Sequence, residues 1–469
     1  MKGSIRGKFM IEMAWSDDLL DRKERADFLS NYLDEDICRV LNLDSPWGAG
    51  KTYFLTNWRF QLLSEKSRPV VYFNAWENDF LGDPLLSLVS VIRDQLSIQG
   101  EKPNLVKKKV KDFTKRAGEL AVAIAPSVIK AAAKKHLGED FLDILDGEAT
   151  SEVAEKFVEK ILSKNQEAIS AVSHFKSSLG DLFSIVSSSN NGKPVYIFID
   201  ELDRCRPTYA IELLERVKHF FAVDGCRFVI ATDTNQLAHS ICAVYGNGFA
   251  SKRYLKRFFD STFKLDNTQL DNWIVTHVKD EICPPFNNYK IFERHIGKPS
   301  YGFSDFVEPI STSLFSDKLN AHQLAFKALV LAFDFQIRDL EAILKRIHTF
   351  NGYFNKGTWD FFFCAYLLFL VHSDISIVQS YSGIYEDEDF WKELNAKYPA
   401  SEKLYTGVAN VSVHELARSY FRSLSLKGRN LTDLANGGGI DSPVALDVMR
   451  KTELYIKCFD VAKLSAQLT

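Results

Sequence analysis

The chain has 469 residues, 46% of them hydrophobic and 25% charged, which is ordinary for a soluble globular protein and long enough for two or three domains. Its formal net charge of -3 excludes a chain-wide electrostatic drive toward nucleic acid or anionic membrane, so any such contact has to be local. Seven scattered cysteines without a C-x-x-C pair, and ten histidines without a ligand cluster, exclude a zinc site and point to reduced thiols in a cytoplasmic protein.

No apolar core follows the charged residues 1–10, so the N-terminus lacks the features of a secretory signal. Residues 17–32 read as a helix with Leu19, Leu20, Phe28, Leu29 and Tyr32 as its apolar points, packed beside a first strand at 37–43. That strand runs into Ser45-Pro46-Trp47-Gly48-Ala49-Gly50-Lys51-Thr52, and a helical pattern begins at Tyr53. Strand, glycine-containing loop and helix, in that order, are what a phosphate-binding loop requires. Loop N–H groups and the helix N-terminus wrap the β-phosphate, Lys51 reaches the β and γ oxygens, and Thr52 offers its hydroxyl to Mg²⁺. Gly48 and Gly50 permit the backbone turns, while Ser45 stands where the G-x-x-x-x-G-K-T pattern has its first glycine. The competing reading is a chance Gly-Lys-Thr at a helix start.

Residues 70–73 form the next predicted strand, with Asn74 and Glu77 at its carboxyl end, where open α/β sheets bind ligands. Trp76 is expected in the core. Residues 99–192 form a helical insertion with segregated charge: ten basic against three acidic residues over 101–137, then eight acids and two lysines over 139–160. A basic arm for nucleic acid or anionic lipid is one reading, and a hairpin in which the two charge blocks pair is the other. The apolar runs 120–129 and 361–371 fall well short of the ~20 residues that span a bilayer. The all-apolar strand 195–199 delivers Asp200 and Glu201 at its end, placing Asp200 to hold Mg²⁺ through water and Glu201 to polarise the attacking water.

Trp47 through Thr52, then Phe73-Asn74-Ala75-Trp76, then Asp200-Glu201-Leu202-Asp203-Arg204-Cys205-Arg206-Pro207, in this order, resemble the KAP family of P-loop NTPases. The likeness runs from about 17 to 266 and more faintly to 346, with two departures: Ser45 for glycine, and Glu201 where the family often has Asp. It implies an α/β P-loop fold with a parallel sheet and helices on both faces, ATP and Mg²⁺ as ligands, and a nucleotide site of Trp47, Gly48, Ala49, Gly50, Lys51 and Thr52. It also implies a leading segment near the adenine, so that Arg22 or Arg25 touches the base or ribose; a solvated helix face is the alternative. Some members carry transmembrane segments between the two nucleotide motifs, where this chain has its insertion.

Pro207 opens a helix with Ile211, Leu214, Val217 and Phe221 on one face, which fixes Asp203 and Arg204 near the γ-phosphate. After the strand at 228–231, Asp233 is the candidate γ-phosphate sensor, or else a helix N-cap. Lys252, Arg253, Lys256 and Arg257 precede a last strand at 262–265, with Arg253 and Arg257 on one face of any helix there; they read either as an arginine finger supplied to a neighbouring subunit or as a solvated basic helix. Arg338, near the start of a helix at 335–346, resembles the lid arginine of related NTPases, with a surface salt bridge as the alternative. These organise the chain as a P-loop domain at 1–98 and 191–270, an insertion at 99–190, a helical lid region at 271–350 and a helical C-terminal region at 351–469. The function expected is ATP hydrolysis with Lys51, Glu201 and Asp203 as catalytic residues, coupled to conformational switching in an intracellular assembly, with antiphage defence or signalling by family analogy. No Asn-Lys-x-Asp motif favours GTP. A homo-oligomer or protein partner is expected, nucleic acid is left open, and a nucleotide-dependent scaffold of low turnover is the alternative.

Overall fold

The computed structural model describes residues 14–35, 38–64, 68–97, 103–124, 151–188, 192–267, 269–279, 318–354, 359–373, 381–405 and 410–465, which group into two compact units, Met1–Asp266 and Asn267–Thr469. In the first unit α1 (Arg22–Asp34) precedes β1 (Val40–Asp44), α2 (Lys51–Ser64) and β2 (Val70–Asn74). α3 (Pro84–Leu96) and the insertion helices α4 (Pro103–Ile124) and α5 (Ser151–Ser188) lead to β3 (Val195–Asp200), α6 (Pro207–Phe220), β4 (Cys226–Thr232), α7 (Thr234–Tyr245) and β5 (Ser261–Lys264). The sheet is wholly parallel in the order β2-β3-β4-β1-β5.

Strand β3 is buried at every position because both of its faces are covered. Val195, Ile197 and Ile199 point into a core built with α3 to α7, while Tyr196 and Phe198 point into the other with α1 and α2 around Trp58. This is the doubly covered parallel sheet expected from the apolar runs.

Three local expectations change. The first helix begins at Arg22 rather than at 17, since Asp18 accepts from the backbone N–H groups of Leu20 and Lys23 and holds the preceding residues in a turn. The first strand begins at Val40. The short helix before β5, Ser251–Leu255, ends before Arg257, so Arg253 and Arg257 do not share a helical face; both are exposed.

The insertion is helical as expected among its described residues, and α4 pairs with the C-terminal half of α5. Phe113 meets Phe175 with ring centroids 5.5 Å apart, and Lys109 Nζ lies 2.5 Å from Asp181 Oδ2. Residues 125–150 and the side chains of 151–165 lie outside the described residues, so the acidic half of the expected charge hairpin is not among them.

The second unit is helical apart from a two-stranded antiparallel ribbon, β6 (Lys403–Tyr405) with β7 (Asn410–Ser412). Its helices include α8 (Ala321–Phe333), α9 (Ile337–Tyr353) and α10 (Phe361–His372). The apolar run tested above as a membrane segment is α10, whose residues Phe361–Leu370 are all buried in this unit. No helix among the described residues is long and apolar enough to cross a membrane.

Asp360 caps α10: its Oδ1 accepts from the Phe363 N–H at 2.7 Å, and its Oδ2 accepts from Tyr420 Oη at 3.0 Å. Burial, reinforced by Asp447, pushes this carboxyl up to about 6 against those hydrogen bonds. An acid that binds its proton more tightly when folded stabilises the fold below its unfolded pKa and loses that contribution as pH rises through the folded value. The urea midpoint of this unit should therefore fall between about pH 4 and pH 6 and level off above. Asp360→Asn, which keeps the cap acceptor, should flatten that slope; an unchanged slope would mean that another group titrates.

Candidate active site

Because all five strands are parallel, their carboxyl ends open on one edge of the sheet, and the register decides which side chains meet there. Asn74 of β2 pairs with Asp200 of β3, while Asp44 of β1 pairs with Thr232 of β4 and with Lys264 of β5. The edge is tied together by side chains. Asn42 Oδ1 accepts from Thr232 Oγ1 at 2.7 Å, Asn42 Nδ2 donates to Thr234 Oγ1 at 2.9 Å, and Asp44 Oδ1 accepts from the Thr234 N–H at 2.9 Å.

The loop leaves β1 through Ser45, whose N–H donates to Thr232 O at 3.0 Å. Gly48 and Gly50 have φ of 84° and 90°, a region that glycine enters without the steric cost of a Cβ. Lys51, the first residue of α2, is buried, and its Nζ donates to the carbonyls of Ser45 and, at 3.3 Å, Pro46. Burial lowers the Lys51 pKa, and the charges of Asp203, Asp233, Asp200 and Asp44 oppose that shift. Thr52 is exposed in the first turn of α2, beside the unpaired N–H groups of the helix start.

Asp200 is 1% exposed; its Oδ2 accepts from Tyr72 Oη at 2.8 Å and its Oδ1 from the Glu201 N–H at 2.9 Å. Burial, then the Asp200 charge, drives the Tyr72 phenol well above its ordinary pKa, so it remains a donor to Asp200. Glu201 has φ of 59°, a left-handed conformation that costs an L-residue about 1–2 kcal/mol. That turn keeps Glu201, Asp203 and Arg204 at the sheet edge instead of carrying the chain away. Glu201 Oε2 accepts from Asn74 Nδ2 at 3.2 Å and Glu201 Oε1 pairs with Arg204 Nη1 at 2.6 Å. Asp203 accepts from the indole N–H of Trp47, which joins the acidic turn directly to the phosphate loop.

The expected residues Trp47, Gly48, Ala49, Gly50, Lys51 and Thr52, with Asp200, Glu201, Asp203 and Asp233, thus converge on one edge. Asp233 is the N-cap of α7, its Oδ1 accepting from the Gln236 N–H at 3.1 Å, and the cap and the approach to Lys51 coexist. Arg338 is exposed in the first turn of α9 and belongs to the second unit.

Two expectations from the sequence are corrected. Trp76 is 54% exposed rather than in the core, with the Arg204 guanidinium 5.7 Å from its ring centroid. It follows directly on the strand end, in a helical turn of only four residues, Ala75–Asn78, too short to bury a face. Arg22 is not on a solvated face either: it is buried, and its Nη2 donates to Ala49 O of the loop at 3.0 Å. Burial first, then Arg25, lowers its pKa to about 10, which leaves it charged at neutral pH. Arg25 instead pairs with Asp266 at 2.7 Å. Tyr72 and Asp44 were missed because their signal is register alone.

The residues fit a nucleotide triphosphate with Mg²⁺. Two positive-φ glycines shape the loop, its lysine is placed on the loop carbonyls, and Ser45 Oγ is buried without a hydrogen-bond partner. Among the described residues no group of three or more His, Cys, Asp or Glu is placed to hold a metal ion, so Thr52 and Asp200 would share it with phosphate oxygens.

The family model described as the KAP family P-loop domain matches residues 27–282, more than half of the chain. A protein of Methanocaldococcus jannaschii described as uncharacterised is 28% identical over 163 residues, which make up 33% of this chain and 84% of that protein.

Proposed function

Because the chain belongs to the KAP family of P-loop domains and so carries a nucleotide-binding NTPase domain, we propose that it hydrolyses ATP and couples the nucleotide state to conformational switching in an intracellular assembly. The observation that carries this reading is the buried Lys51 within the field of Asp44, Asp200, Asp203 and Asp233, beside a loop with two left-handed glycines. The loop N–H groups and Lys51 would take the phosphates, and Thr52 and Asp200 would hold Mg²⁺, which would supply charge neutralisation for the triphosphate. Glu201 takes the proton of the water that attacks the γ-phosphorus, giving ADP and inorganic phosphate. Asp233 reads the γ-phosphate.

The cation for charge developing on the γ-phosphate is open to three arginines named from the sequence. Arg253 and Arg257 would act from a second copy of the chain, and Arg338 from the second unit. Antiphage defence or signalling is the setting that the family suggests, by analogy only. A second reading, a nucleotide-dependent scaffold of low turnover, is favoured by one observation: both carboxylate oxygens of Glu201 already have partners, Arg204 and Asn74.

Phosphate release from ATP and from GTP, measured with and without Mg²⁺ over a range of protein concentrations, tests these readings together. We expect Mg²⁺-dependent turnover that prefers ATP and rises more steeply than protein concentration. Tight ATP binding with no release would establish the scaffold instead. A rate proportional to concentration, from a protein that light scattering shows to be a monomer with ATP present, would remove the arginine supplied by a second copy.

A further inference from the structure

Arg204 has no role in the hydrolytic reading above, yet it makes the shortest ion pair at the site. Its Nη1 lies 2.6 Å from Glu201 Oε1, its guanidinium faces the ring of Trp76, and its side chain remains 35% exposed. The turn that carries it, Leu202–Arg204, is held against the phosphate loop, since Asp203 accepts from Trp47 and acts on Lys51. Arg204 therefore stands beside the proposed base, one residue from the Asp203 that is tied to the loop, with its guanidinium over an exposed aromatic ring.

A guanidinium binds carboxylate and phosphate in the same fork geometry, and a terminal phosphate presents more charge and more oxygens than one carboxylate. Pairing with Glu201 and pairing with a γ-phosphate are competing uses of the same Nη group. A charge-assisted bond on Oε1 also lowers the tendency of that oxygen to take a proton from water.

From this we propose that Arg204 senses the γ-phosphate in cis, in addition to Asp233, and that its transfer from Glu201 to the γ-phosphate releases Oε1 to act on water. ADP offers no γ-phosphate and leaves the Arg204–Glu201 pair intact. The inference rests on Glu201 being the base. It makes hydrolysis conditional on a correctly seated triphosphate, and it reconciles the engaged carboxylate with turnover.

The test is a comparison of ADP with a non-hydrolysable ATP analogue carrying an imido β–γ bridge, each titrated with Mg²⁺ and followed by tryptophan emission and by calorimetry. In the parent protein the analogue should bind at least tenfold more tightly than ADP. In Arg204→Ala that preference should fall to about twofold or less, with ADP affinity unchanged within twofold, which also shows that the site is still folded. Arg204→Lys should restore part of the preference. The difference in emission between the two complexes should shrink in Trp76→Phe, while Trp47 of the loop still reports bound nucleotide.

A parental preference retained by Arg204→Ala would overturn the proposal, as would the lack of any preference in the parent. Failure of the underlying reading looks different. If the parent binds neither nucleotide the phosphate loop is misassigned, and if Glu201→Gln hydrolyses ATP normally the base is misassigned, whatever Arg204 does.

Discussion

Lys51→Ala is expected to weaken ATP binding at least a hundredfold and to abolish hydrolysis with it. Lys51 is the cation that the loop itself supplies, and its Nζ already rests on the loop carbonyls of Ser45 and Pro46. A charge-assisted hydrogen bond is worth about 1.5–3 kcal/mol, and the lysine would make two, to the β and γ oxygens, so a loss of about 3–6 kcal/mol follows. The replacement also leaves Asp44, Asp200, Asp203 and Asp233 without the ammonium that balances them, and their combined field then repels the triphosphate. The stability of the fold should change far less than the affinity, because burial disfavours the lysine charge in the first place. A fluorescent ATP analogue titrated against both proteins decides the matter: equal affinity would sink the assignment of the loop.

Glu201→Gln should separate binding from chemistry. The amide has the shape of the carboxylate and suits the same left-handed backbone, so the turn at φ of 59° and the positions of Asp203 and Arg204 should survive. It cannot accept the proton of water, and a general base is worth about 10²–10⁴ in rate, so hydrolysis should fall by that factor while ATP stays bound. The readout is retained ATP after gel filtration together with phosphate release over hours. A variant that turns over at the parental rate would shift the role to Asp203, whose carboxylate is held by Trp47 beside the same loop. The two variants together also divide the ATPase reading from the scaffold reading, since a scaffold needs Lys51 and is indifferent to Glu201.

The second unit shows how a local pattern can be read correctly for class and still leave function open. The run 361–371 is too short to span a bilayer, and it is a helix buried on all sides, capped by Asp360. Arg338 has the expected place, in the first turn of a helix that begins two residues later than expected, with Gln336 and Asp339 forming its capping box.

What the sequence by itself determined is the part of the chemistry that lies along contiguous backbone. The phosphate loop, the strand that ends in Asp200 and Glu201, and the helix opened by Pro207 are each a run of neighbours, and their physics is local: glycine at positive φ, period-free apolar strands covered on both faces, proline at a helix start. The tertiary structure decided everything that joins these runs. Asn74 reaches Glu201 across 127 positions because β2 and β3 pair in parallel with Asn74 opposite Asp200. Trp47 reaches Asp203 across 156 positions, and Arg22 reaches Ala49 across 27. Whether Trp76 is buried or exposed depended on what covers the sheet edge, a property of neighbours remote in sequence. Contacts of this kind leave no periodicity in the chain, because parallel register and helix docking set them through space and many residue pairs of the same types would have satisfied the same local patterns.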